Sequence, residues 1–337
     1  MALSSDAIIK QEIIDQIGEI GRNKLRIFVQ SSSEDQKMFS DGGLTFGVNK
    51  VPYGSCDACW YVNEPFVDIY DGKKLSIRPT IVLEGTDALN RKSSGNAQYQ
   101  RFHHALGAVR NGVVGVYYLR KGSCKLREDL YGMAYNASKT EKGTYLIIDD
   151  LAVVKKLLQL HSSPDRFTGY LNEYLEQMKS IFDQMFQRVY GGSWKKFADK
   201  RSTIVMDDYI IKYAGRNTRN FTDGSQRAGH IAVGEMYLSK YYFIDKKMYY
   251  LFPRMTLDDL KSLDHSKRTD KEWYLLRNEP RVEIKTVDDI GGLDSTTKQK
   301  LLSIKNEPLL GGEPPRIFNA CIQVIRAGLI NGTFKIL

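Results

Sequence analysis

Two carboxylates stand where a chain could hold a hard cation: Asp68 in "PFVDIY", and Glu84 at the close of the apolar run "TIVLE". A carboxylate leaving a buried strand is costly unless it ligates a cation or accepts strong hydrogen bonds. The segments "PFVDIY" and "LSIRPTIVLE", joined through "DGKK", read as a hairpin with Asp71-Gly72 as its turn dipeptide. Adjacent strands would then bring Asp68 and Glu84 within reach of one ion. Mg²⁺ suits such a pair, because it takes one or two carboxylates and completes its shell with waters and phosphate oxygens. It polarises a phosphoryl oxygen and lowers the pKa of an attacking water. The alternative is that Glu84 caps its own loop through backbone N–H groups or pairs with Arg91.

The elements that must position these groups follow from periodicity. Residues 6–20 read as a helix with Ile9, Ile13, Ile17 and Ile20 near helical spacing. Short strands punctuated by "DGG", "PYGS" and "DGKK" fill 24–85. A helix over 96–110 follows, with Phe102, Ala105, Leu106 and Val109 on one face. The run "GVVGVYYL" then reads as a strand covered on both sides. Residues 80–119 thus predict strand, loop, helix and strand around a mixed sheet. "GTYLIID" is a further strand, "DLAVVKKLLQL" a helix, and 165–190 a long amphipathic helix. "STIVMDDYIIKYAG" and "MYYLFPRM" suggest strands, whereas "AGHIAVGEMYLSKYYFI" fits either state. The expected class is α/β with a central mixed sheet flanked by helices. Domains are placed at 1–160 and 161–337, with one core carrying appendages equally open. No internal repeat is visible.

The stretch "VDIYDGKKLSIRPTIVLEGT", with the polar loop, helix and apolar strand after it, resembles the core of the PD-(D/E)XK nuclease superfamily. Type II restriction endonucleases are the most similar members. The resemblance spans roughly residues 60–120 and implies a restriction-endonuclease-like core with a helical and stranded C-terminal extension. It implies that Asp68 and Glu84 hold Mg²⁺, and that Thr86 stands at the place of the family lysine. Lys92 or Arg91 would take over that lysine's role, and Gln98 or Arg101 would contribute from the helix behind. The "PD" dipeptide is absent, since the chain reads Val67-Asp68; Asp71 is a rival for the family's first acid, and Glu64 a further candidate ligand. The implied activity is Mg²⁺-dependent, sequence-specific hydrolysis of double-stranded DNA by a homodimer.

Charge suits a polyanionic partner met through one face, and equally an ordinary basic enzyme surface: 49 Lys and Arg against 40 Asp and Glu give a net +9. Lys and Arg gain affinity for nucleic acid by releasing condensed counterions. The Gly-punctuated stretch 212–230 gathers Arg216, Asn217, Arg219, Asn220, Gln226 and Arg227. Arg reads guanine and Asn or Gln reads adenine in the major groove, while Lys195, Lys196, Lys200 and Arg201 can contact phosphates. His103 and His104 are consecutive on a helix, about 100° apart, so they cannot both face one site. The "CDAC" pair, Cys56 and Cys59, has no partner pair at zinc-finger spacing and reads as free thiols. The N-terminal stretch carries charges throughout, so neither signal peptide nor membrane span is expected and a cytoplasmic location is. Two other classes stay open. One is a non-catalytic DNA- or RNA-binding protein on a similar core, and the other is an enzyme for a small anionic substrate.

Overall fold

From Ile81 to Thr86 every side chain of the strand "RPTIVLEGT" is buried, which demands cover on both faces and a bonded neighbour on each side. The structure, a computed structural model, describes residues 5–27, 45–48, 51–67, 74–75, 77–91, 94–213, 226–264, 270–303 and 316–337. It is mixed α/β, with mixed sheets of parallel and antiparallel strands flanked by helices. The chain divides into two compact units, Met1–Val189 and Tyr190–Leu337. The sequence reading placed this division near 160, but the long helix at 164–190 falls almost wholly within the first unit. Its apolar stripe, including Leu175, Met178 and Phe182, is buried.

Unit 1 is built on helix α1 (Ser5–Gln16) and strands β1 (Lys24–Ile27), β2 (Ala58–Val62) and β3 (Arg78–Thr86). These are followed by α2 (Phe102–Arg110), β4 (Val114–Leu119), α3 (Asp129–Thr140) and β5 (Tyr145–Ile148). The sheet order is β1-β2-β3-β4-β5. The β1/β2 and β2/β3 pairs are antiparallel, and β3/β4 and β4/β5 are parallel. The two faces of β3 have different covers. A Cβ on Gly85 would lie 2.7 Å from Ile9 of α1, while Glu84, one residue earlier, faces α2.

Helix α2 sits so close to the sheet that β4 needs glycine beneath it. A Cβ on Gly115 would fall 2.5 Å from a Val109 methyl and 2.7 Å from the Ala105 carbonyl oxygen. Gly115→Ala is therefore expected to cost about 1–3 kcal/mol through overpacking. By contrast, a Cβ on Gly169, inside the 164–190 helix, would meet nothing within 4 Å. Gly169→Ala should raise stability by up to about 1 kcal/mol through helix propensity. Urea midpoints moving in opposite directions would verify both; a neutral Gly115→Ala would show that the helix can lift.

Unit 2 holds β6 (Thr203–Val205), β7 (Tyr209–Tyr213), β8 (Lys247–Phe252) and β9 (Val282–Thr286) in that spatial order. The β6/β7 pair is antiparallel, and β7/β8 and β8/β9 are parallel. The ambiguous stretch near 230 forms a helix, Gln226–Lys240, between β7 and β8. A second helix, Lys271–Asn278, precedes β9. The connectivity β2–β3–helix–β4–helix–β5 of unit 1 thus recurs as β6–β7–helix–β8–helix–β9. Among the described residues no helix is long and apolar enough to cross a membrane.

Candidate functional site

Glu84 lies two residues before the end of β3, within its buried stretch, and is 1% exposed. Its carboxylate faces two side chains of the following helical segment. Arg101 Nη1 lies 3.1 Å from Oε1, and His104 Nδ1 lies 3.2 Å from Oε2. Arg101 and His104 are three residues apart, so one helical face presents both. Burial pushes the Glu84 carboxyl up, but His104 and Arg101 outweigh it and hold the group below its ordinary range. Glu84 is therefore an anion at neutral pH. Around it stand the buried Thr86 and Tyr117, the latter opposite Glu84 in the parallel register. Burial drives the Tyr117 phenol well above its ordinary value.

A hairpin does form across the 68–73 excursion, Phe66 opposite Leu75 and Val67 opposite Lys74, but it does not extend to the strand of Glu84. The neighbours of β3 are β2 and β4. The physical reason is burial. "ACWYV" is buried at four of its five positions and supplies the apolar neighbour that the buried β3 needs. Thr80 reinforces the pairing by donating to the Trp60 carbonyl at 2.9 Å. Asp57, just ahead of β2, accepts from the Gly85 N–H at 2.7 Å. Asp68, Asp71 and Lys92 lie outside the described residues. Glu64 is engaged elsewhere, 3.7 Å from Arg22 and 3.4 Å from Arg78.

These groups do not fit a resident Mg²⁺ ion at Glu84. Both of its oxygens face nitrogen groups, one of them the permanently charged guanidinium of Arg101. Among the described residues no group of three or more His, Cys, Asp or Glu side chains is gathered as a metal would require. The four cysteines are free, and burial pushes the Cys59 thiol up to about 12.

A second polar cluster lies on the α1 side of the sheet. Glu12 accepts from the Tyr118 hydroxyl at 3.1 Å and from Arg120 Nε at 2.7 Å, while Arg120 Nη1 reaches Asp87 at 3.3 Å. A cavity of about 250 Å³ opens there, lined by Glu12, Tyr118, Lys121, Asp149 and Asp150 among others. It sits at the carboxyl ends of β4 and β5, where open α/β sheets place their ligands.

The loops after β3 and β4 are tied together. The Cys124 N–H donates to the Leu89 carbonyl at 2.9 Å, and the Asn90 amide donates to the Lys121 carbonyl at 3.3 Å. Gln98, fully buried, donates to the Lys125 carbonyl at 3.1 Å and accepts from the Arg127 N–H at 2.8 Å. Its amide is thus spent on backbone. Arg91 is exposed at the end of a short 3-10 turn.

Family models, curated proteins and solved structures give no match to this chain.

Of the groups expected to read bases, Arg216, Asn217, Arg219 and Asn220 lie outside the described residues. Gln226 and Arg227 open the helix that precedes β8. In unit 2 the slot matching Glu84 carries the opposite charge. Lys212 of β7 lies opposite Tyr250, as Glu84 lies opposite Tyr117. Its Nζ donates to the Arg201 carbonyl at 2.6 Å and lies 3.8 Å from Glu235 of the following helix. Burial lowers the Lys212 ammonium below its ordinary value, against the pull of Glu235. The sequence reading passed over Asp57, the role of His104 and the basic run "RKGSCKLR" at 120–127. That run, directly after a buried strand, was the signal available for the loop.

Proposed function

We propose that this chain is a sequence-specific endonuclease that hydrolyses phosphodiester bonds of double-stranded DNA on a PD-(D/E)XK-like core. The observation that carries the reading is Glu84: a buried anion near the end of β3, between antiparallel β2 and parallel β4, gripped by the helix segment that follows. Taking such a charge out of water costs several kcal/mol, on the order of what a well-packed apolar replacement would save. Keeping it there favours a functional use. Arg101, with 32% of its side chain exposed, offers a pre-oriented guanidinium to a phosphate at the strand end. The excess of basic residues favours the same partner. A palindromic target would be met by two copies of the chain related by a two-fold axis, one site per strand, acting in the cytoplasm.

Mg²⁺, expected from the resemblance, finds no fitting cradle at Glu84, so the ion enters as a variable of the test. Supercoiled plasmid is incubated with wild type, Glu84→Gln and Arg101→Ala, each with Mg²⁺ and with chelator. Discrete fragments from wild type, lost in both variants while their circular dichroism is unchanged, support the endonuclease.

One observation favours a second reading. The carboxylate of Glu84 is already occupied by Arg101 and His104, and Thr86 stands where a lysine is usual. A DNA- or RNA-binding protein without catalysis would show salt-sensitive band shifts and no cleavage under any divalent cation.

A further inference from the structure

We infer that the loop after β4, residues 120–127, is the surface with which unit 1 holds the phosphate backbone of duplex DNA. The inference rests on the nuclease reading and adds a surface to it. Lys121, Lys125 and Arg127 are exposed on this loop, and Arg91 is exposed on the loop bonded to it. Lys125 keeps 79% of its side chain in solvent, even with Glu128 at 3.0 Å. Arg127 Nε meets the Tyr99 hydroxyl at 3.2 Å, which orients its guanidinium. Of the neighbouring acids, Glu128 is also engaged by Arg188, Glu12 and Asp87 are engaged by Arg120, and Asp149 and Asp150 line the cavity beside Lys121.

What separates this patch from an ordinary solvated face is the rigidity of its backbone. The Cys124 N–H, the Lys121 and Lys125 carbonyls and the Arg127 N–H are all tied to the preceding loop or its helical turn. Gly122 allows that closeness, since a Cβ there would lie 2.6 Å from Asn90 Oδ1 and from the Leu89 carbonyl carbon. A polar side chain as buried as Gln98 spends its whole amide on this one loop, so it acts as a positioning residue. Held cations lose less entropy on meeting phosphates than cations on a mobile loop. The partner that fits is a duplex backbone, because phosphate contacts need charge and fixed spacing but no sequence.

The test is equilibrium binding to duplexes of unrelated sequence across a salt series, without divalent cation. The Lys121→Ala/Lys125→Ala/Arg127→Ala variant should lower the slope of log affinity against log salt by about 2 to 3, one unit for roughly each lost contact. At 0.1 M salt that corresponds to a loss on the order of a hundredfold, equal for every sequence. Gln98→Ala removes no charge and is buried away from ligand. It should still lower the slope by about 1, because its loop no longer holds two cations in register. Wild type that binds duplex while the triple variant keeps both slope and affinity overturns the surface and leaves the nuclease reading standing. Wild type with no salt-dependent duplex affinity overturns both. Salt-dependent binding that the triple variant loses, together with no cleavage of plasmid by wild type in the presence of Mg²⁺, supports the surface and transfers it to the non-catalytic reading.

Discussion

Glu84→Ala is expected to lower the stability of the protein by about 3–5 kcal/mol at pH 7, the cost of removing one partner from a buried ion pair. The substitution leaves Arg101 Nη1 and His104 Nδ1 facing an apolar void where an anion stood. Arg101 is partly exposed and can turn to water, which places the effect toward the lower end of that range. Glu84→Gln keeps the volume and one acceptor, and should cost about half as much. The acid limb follows from linkage. The folded-state pKa of Glu84 is depressed below its ordinary 4.5. Its stabilisation is therefore fully present above the unfolded value and is lost as pH falls through the folded value. Wild type should lose stability between pH 4.5 and lower pH more steeply than Glu84→Gln, and the two unfolding midpoints should converge in acid. Urea titrations at pH 7 and pH 3 measure this. A gap that stayed constant with pH would mean that Glu84 is not held as an anion.

The elements were readable in the sequence where packing repeats locally, and not where partners are distant. "GVVGVYYL" is a buried strand because it is apolar throughout, and residues 102–109 show their buried face by spacing alone. The partner of β3 was hidden because "CDAC" draws attention as a cysteine motif, whereas its role is to lead into a buried edge at Ala58. The strand at 282–286 was hidden too. "VEIKT" alternates charged and apolar residues amid a tail of charged helical pieces, and its place in the sheet comes from pairing with β8. The grip on Glu84 needed the phase of the helix. Residues 94–97 form a separate turn and α2 begins at Phe102, so a helix drawn continuously from 96 does not aim Arg101 and His104. The repeated connectivity left no trace in residue types, because equivalent slots hold Glu84 in one unit and Lys212 in the other. Backbone pairing conserves geometry while the side chains exchange sign.

A second buried pair gives the other large expected effect, and it separates stability from function. Lys240 and Glu279 in unit 2 are 4% and 0% exposed at their side chains and are in direct contact. The Tyr237 hydroxyl donates to the other Glu279 oxygen at 2.8 Å. Lys240→Met should destabilise by about 3–5 kcal/mol, since it strips the ammonium from a carboxylate that has no water to turn to. Glu279→Leu should cost a similar amount by burying an uncompensated ammonium. Lys240→Met/Glu279→Leu should lose far less than the sum, because matched apolar groups satisfy the site once neither charge remains. Tyr237→Phe in that background should recover more, by removing the hydroxyl that the change leaves without its acceptor. A double-mutant cycle by urea denaturation reads the coupling directly, and additive losses would refute it. Glu84 is expected to differ in the matching experiment. On the proposed endonuclease reading, replacing it together with Arg101 by apolar residues should restore much of the stability but none of any cleavage, whereas the Lys240/Glu279 double variant should retain whatever cleavage wild type shows. A buried pair kept for packing can be exchanged for hydrocarbon without loss of activity; a pair kept for chemistry cannot.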